Sequence, residues 1–179
     1  SSLSGTPTFY AGGGAGGWRN ATPGLSSAGG RGGGGHGSWS INYAGGDGTS
    51  NTGGGGGSGG TNGAGPYLSR GGGAGGSGIV ILKLPAANRV IYTFNSSGTF
   101  FVPSGASSFE YLVVAGGGGA GGGSAGEGGG GAGGVRMGSG VMTSVGGEIA
   151  VSVGAGGLGN TPDNTTPIST NGVGSFIQE

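Results

Sequence analysis

The chain is divided by runs of glycine. Tracts occupy residues 12–17, 29–37, 53–60, 71–78 and 116–134, and the segments between them are rich in Val, Ile, Phe and Tyr. The segregation is sharp: residues 79–115 hold two Gly, and residues 116–134 hold fourteen. Any fold must therefore place long stretches without side chains, whose ordering costs more backbone entropy than that of any other residue. One reading of a tract is flexible linker. The other is a polyproline-II-type polyglycine, three residues per turn. Such tracts are slim enough to lie side by side and bond N–H to C=O from one to the next. Several tracts in one chain can build an array of that kind, where a single tract cannot. At about 3.1 Å per residue, an eight-residue tract spans roughly 25 Å, the length of a seven- or eight-residue strand. Tracts and strands then fit one layered body. Ala15, Ala74, Ala120 and Ala132 are small enough for the edge of the array.

Composition removes several classes. Glycine numbers 58 of 179 residues but Pro only seven, and the glycines come in runs, so the G-X-Y period of collagen is absent. Val, Ile, Leu and Phe total 31 residues, a share associated with disorder, yet the high net charge of disordered chains is missing. Without Cys there is no disulfide framework and no thiolate metal site or nucleophile. Six basic and six acidic residues cancel, which argues against nucleic acid or an anionic membrane as partner. The longest apolar run, Ile79–Leu84, is interrupted by Lys83 and is far too short to span a bilayer. No signal-peptide pattern is visible and the first residue is not Met. A processed protein or a piece of a longer one is expected.

The apolar segments read as strands: Thr8–Ala11, Ile79–Leu84, Val90–Phe94, Thr99–Val102, Phe109–Ala115, Glu148–Val153 and Ser175–Gln178. EIAVSV places Ile149, Val151 and Val153 on one face, whereas IVILKL and YLVV are continuous apolar runs suited to burial on both faces. No segment has a helical period, and glycine is a poor helix former. The expected class is all-β, with strands layered against polyglycine II-type tracts and almost no α-helix.

Residues 93–123, TFNSSGTFFVPSGASSFEYLVVAGGGGAGGG, resemble the glycine-rich domain of phage tail and tail-fibre proteins. In that family a Ser-Gly-Thr strand ending in Val-Pro leads through a turn to an apolar strand and then a glycine run. Here these are Ser97–Pro103, Tyr111–Ala115 and Gly116–Gly119. Residues 148–157 and 172–176 continue the likeness, and SGIVILKL at 77–84 is similar to the family's closing strand. The order is permuted, because the closing strand precedes the opening one. The resemblance implies that residues 1–84 are the second half of a glycine-rich β domain and 85–89 a junction. Residues 90–179 are then the first half of the next domain, or of the same one permuted. A tandem array, interlocking subunits, or termini that meet within one unit all satisfy this order. Ser1, Phe9, Pro85, Asn88, Phe176 and Glu179 are the candidate assembly and junction residues.

Catalytic signatures are missing. His36 is the lone histidine and has no nucleophile or carboxylate at a recognisable spacing. Asp47, Glu110, Glu127, Glu148, Asp163 and Glu179 are scattered, with no calcium-loop pattern. Glu127, alone in its tract, reads as a solvent-facing turn. No glycine run is followed by the Lys of a P-loop. Arg31 and Arg70 open Arg-Gly-Gly triplets, but five Arg in a neutral chain do not make an RNA-binding segment. Trp18, His36, Trp39, Tyr43 and Tyr67 lie between tracts, where they either cap the array or act as recognition anchors. In relatives that act as adhesins such loops carry receptor contacts. Asn20, Asn95 and Asn164 begin N-x-[ST] sequons, relevant only on a glycosylating route.

The expectation is a non-enzymatic structural subunit of an extracellular or virion-associated fibre, assembled head-to-tail from identical copies without a cofactor. The alternative is a tail-fibre adhesin that binds a host surface glycan or protein through inter-tract loops. An ice-binding polyglycine protein is disfavoured by the unequal tract lengths.

Overall fold

A computed structural model describes residues 1–18, 26–40, 42–60, 70–85, 90–122, 128–141, 146–161 and 169–178. The fold is all-β, with no helix among these residues. The strands are β1 (Ile79–Lys83), β2 (Ile91–Phe94), β3 (Gly98–Phe101), β4 (Ser108–Val114), β5 (Val135–Val141), β6 (Glu148–Ser152) and β7 (Phe176–Gln178). They form two antiparallel sheets, ordered β2-β1-β4-β5 and β3-β6-β7.

The sheets pack face to face. Val80 and Leu82 of β1 and Phe109 and Val113 of β4 meet Phe100 of β3 and Ile149 and Val151 of β6. Tyr92 and Phe94 add edge-to-face contacts to Phe100, with centroids 4.8 and 6.4 Å apart. The other face of the larger sheet is also covered. Ile79, Ile81, Leu112 and Val114 form a second cluster under Leu3, Tyr10 and Ala11. Burial on both faces is why IVIL and LVV read as unbroken apolar runs, while EIAVS alternates because only Ile149 and Val151 turn inward.

Two expectations change. Residues 8–11 are not a strand: Ala11 takes a left-handed φ of 56° and donates to the Thr52 carbonyl, so this segment packs on the sheet rather than pairing with it. β5, VRMGSGV, was not expected because two glycines interrupt its apolar pattern. The rings of Tyr111 and Phe109, on the neighbouring strand, lie over Gly138 and Gly140 and supply the cover that these glycines lack.

The glycine tracts continue the strands. We number them tract 1 (12–18), 2 (33–38), 3 (45–49), 4 (53–60), 5 (71–78), 6 (116–122), 7 (128–134), 8 (154–160) and 9 (170–174). Tract 5 leads into β1, tract 7 into β5 and tract 9 into β7, while β4 and β6 run out into tracts 6 and 8. The pairing registers pass through these junctions unbroken. Ile79 opposes Val114, and beyond them Gly117 donates to Gly76 and Ala120 to Gly73. Val114 opposes Val135, then Ala115 donates to Gly134 and Gly118 to Gly131. Ser152 opposes Phe176, then Val173 donates to Ala155 and Thr170 to Leu158. Only the period changes, from alternate residues in the strands to every third residue in the tracts.

A period of three aims backbone groups in several directions, and tract 4 uses them all. Gly55 and Ser58 donate to Gly12 and Ala15 of tract 1, Gly56 to Gly118 of tract 6, and Gly57 to Gly46 of tract 3. Its carbonyls accept from Gly35 and Ser38 of tract 2, from Gly73 and Gly76 of tract 5, and from Gly130 and Gly133 of tract 7. The six neighbours also bond to one another around it, as from Ala15 to Gly35 and from Gly14 to Gly130. Residues 53–60 are all buried. No side chain larger than that of Ser58 fits there, because a Cβ on Gly55 or Gly57 would overlap the carbonyl of Gly130 or His36. Of the alanines expected at the edge, Ala132 is exposed and Ala15 and Ala74 are half-buried, but Ala120 is fully buried between tracts 5, 6 and 8.

Residues on both sides of 85–89 share these layers: β1 lies between β2 and β4, and tract 4 lies between tracts 1 and 7. The molecule thus has a sandwich end and a distal end, where the tracts finish at Trp18, Ser38, Gly60, Gly122 and Asn160.

Candidate functional site

The distal end gathers three of the inter-tract aromatic residues, Trp18, Trp39 and Tyr43. Trp18 donates its N–H to Ser38, and Ser38 in turn to Ser58, so the ends of tracts 1, 2 and 4 are level. The chain then turns at Trp39 and Ser40. Ser38 Oγ caps that turn by donating to the Ser40 carbonyl at 2.9 Å. The rings of Trp39 and Tyr43 meet with centroids 5.5 Å apart at 41°. Tyr43 is 57% exposed and Trp18 56%. His36 is exposed one turn before the tip, and its ring covers Gly46.

Beside this aromatic group lies an open polar cleft of about 680 Å³. Asn42, Asp47, Arg70, Asn160 and Thr161 line it together with glycine backbone. Asp47 is held by the N–H of Ala74, which donates to its Oδ1 at 2.8 Å. Asn160 is 5% exposed, and its Nδ2 donates to the Gly122 carbonyl at 2.6 Å. Its Oδ1 is buried without a hydrogen-bond partner. A buried carbonyl oxygen left unpaired costs about 1–3 kcal/mol. The side chains that line the cleft are thus amides, a carboxylate, a guanidinium and a hydroxyl, set among glycine backbone. No group of three or more His, Cys, Asp or Glu that could hold a metal occurs among the described residues.

Of the assembly candidates, Ser1, Phe9, Pro85 and Phe176 lie among the described residues. The Ser1 ammonium donates to the Thr8 carbonyl at 2.6 Å and closes a loop that holds the first strand-like segment back on itself. Phe9 is exposed at the sandwich end, with the Arg31 guanidinium 5.8 Å from its ring centroid. Pro85 lines a small cavity of about 230 Å³ with Val90 and Tyr92, at the end of the sandwich farthest from the tip. Phe176 lines a larger cleft of about 590 Å³ between β4, β5 and β7. Asn95 is exposed in the β2–β3 turn. Asn20, Tyr67, Asn88, Glu127, Asp163, Asn164 and Glu179 lie outside the described residues. Sequence reasoning missed Asn42, Asp47 and Asn160 as a group, because one inter-tract residue and two separate tracts bring them together and no local spacing marks them.

No curated protein and no solved structure matches the chain. The family comparison finds one region, which begins within β2 and runs to the end of β7. It takes in tracts 6 to 9 and leaves out β1 and tracts 1 to 5. Across residues 93–178 the chain matches the family model of a glycine-rich domain.

Proposed function

We propose that the chain is a non-enzymatic structural module, the repeating subunit of an extracellular or virion-associated fibre whose tracts are polyglycine II. Head-to-tail contacts between identical copies build the fibre. The observation that carries this reading is the register that passes unbroken from strand to tract in three ladders. Bonding at every third residue is what a three-per-turn helix requires. A body held this way is stiff along its length, and its stiffness comes from backbone rather than from charge. The likeness of Ser97–Pro103 and the following strand to phage tail proteins is the ground for placing the fibre outside a cell or on a virion. Segments on both sides of 85–89 contribute to the larger sheet, which favours one permuted unit per chain. Electron microscopy of the purified chain tests the proposal. Helical assemblies of identical copies are expected; a discrete monomer or closed small oligomer at all concentrations overturns it.

The distal tip supports a second reading, that the module presents a receptor-binding surface for a host glycan or protein. Its ground is the Trp39–Tyr43 pair beside the open cleft lined by Asn42, Asp47 and Thr161. The double substitution Trp39→Ala, Tyr43→Ala is expected to abolish cell-surface adsorption while costing no more than about 2 kcal/mol of stability, since Tyr43 is exposed and Trp39 only half-buried. Unchanged adsorption by the double variant contradicts this reading.

A further inference from the structure

The core between the two sheets takes no side chain from β5. The pairing register gives the reason. Arg136, Gly138 and Gly140 oppose Val113, Tyr111 and Phe109, so they are the residues that β5 turns toward the sandwich interior. Two glycines fill no volume there. What they leave is the cleft of about 590 Å³ between β4, β5 and β7, within the roughly 300–1,000 Å³ of ligand sites. Its inward-facing side chains are mostly apolar: Phe109 and Val113 of β4, Ile149 of β6, and Ile177 of β7, which opposes the inward Val151. The rings of Phe109 and Tyr111 tilt at 45° with centroids 6.0 Å apart, and the Tyr111 hydroxyl lies over Gly138. One charged residue, Arg136, lines this cleft. It is exposed, no Asp or Glu lines the cleft with it, and it forms no ion pair among the described residues.

We infer that this cleft binds an amphipathic carboxylate, with its apolar body between the sheets and its head group on Arg136. Charge complementarity selects the head. A guanidinium presents a planar fork that matches a carboxylate bidentately, and a cationic ligand would meet it with repulsion. The walls select the body. A sugar would leave hydroxyls unpaired against Val113, Ile149 and Ile177, whereas an alkyl chain gains from leaving water. The Tyr111 hydroxyl adds a hydrogen-bond donor on the face that carries Arg136. A peptide strand is the poorer occupant, because β7 offers an edge of only three residues to pair with. The cleft belongs to the sandwich end, so the inference rests on neither the fibre reading nor the distal tip.

The test is methyl NMR of the whole chain during titration with sodium octanoate, repeated with 1-octanol as the uncharged analogue. Saturable shifts are expected at Val113, Ile149 and Ile177. Ile79 and Ile81, on the far face of the larger sheet, are expected to stay in place. Octanol is expected to bind about fivefold more weakly than octanoate, the worth of one exposed charge-assisted contact. Arg136→Gln is expected to weaken octanoate by the same factor and leave octanol unchanged. If that variant fails to fold, the octanoate–octanol comparison on the wild type decides alone. No shift at about 1 mM octanoate, the weak end of specific affinity, overturns the inference. So does equal affinity for octanol. Ile149 and Ile177 signals that move with protein concentration alone also overturn it, since they give the cleft to a second copy of the chain.

Discussion

Glycine has two distinct roles in this chain, and a single methyl group separates them. At Gly57 the backbone of tract 2 lies where a Cβ would be, so the residue is a steric requirement of the array. At Gly131 the same position opens to solvent. Gly57→Ala is expected to destabilise the fold by about 3 kcal/mol or more, the upper range for overpacking against rigid neighbours. Gly131→Ala is expected to stabilise it by about 0.5 kcal/mol, through lost freedom of the unfolded chain. Urea unfolding of the two variants side by side measures the difference. The apolar core answers to ordinary rules: Leu82, fully buried between the sheets, is expected to cost about 2–5 kcal/mol when replaced by Ala.

Elements are held in phase with each other. Because tract 6 bonds to a different neighbour at each successive residue, an extra residue turns everything beyond it to the wrong side. One Gly inserted after Gly118 is expected to break the bonds that Gly119 and Ala120 make to Thr170 and Gly73. At about 1 kcal/mol per net hydrogen bond the loss is about 2 kcal/mol, measurable by thermal or chemical unfolding. Most strands were legible in the sequence, because Val, Ile and Phe cluster in lengths of four to seven residues and alternate only where one face is wet. β5 was not, because its cover comes from the rings of Tyr111 and Phe109 on another strand and not from its own residues. The segment at 8–11 was misread for the converse reason: Tyr10 and Ala11 pack on a sheet face without joining a ladder. The tracts themselves were legible as spacing and composition. Their arrangement around tract 4 was not, since glycine carries no side chain to mark which neighbour it meets.

On the scale of the whole molecule, charge contributes little. Among the described residues Lys83 and Glu110 form an ion pair at 2.7 Å, which joins partly exposed side chains on neighbouring strands. Such a pair is worth at most about 1 kcal/mol. The unfolding free energy is therefore expected to change by less than about 1 kcal/mol between about 0.05 and 0.5 M NaCl, where surface electrostatics are progressively screened. What holds the distal half together instead is the backbone lattice around residues 53–60, and native-state amide hydrogen exchange reads it directly. The amides of Gly55, Gly56, Gly57 and Ser58 all donate to other tracts from buried positions. They are expected to exchange only through global unfolding, with the same protection as Ile81 and Leu112 in the sheet. Exchange of these four amides at the rate of an unstructured glycine peptide, while the sheet stays protected, would contradict an ordered glycine array.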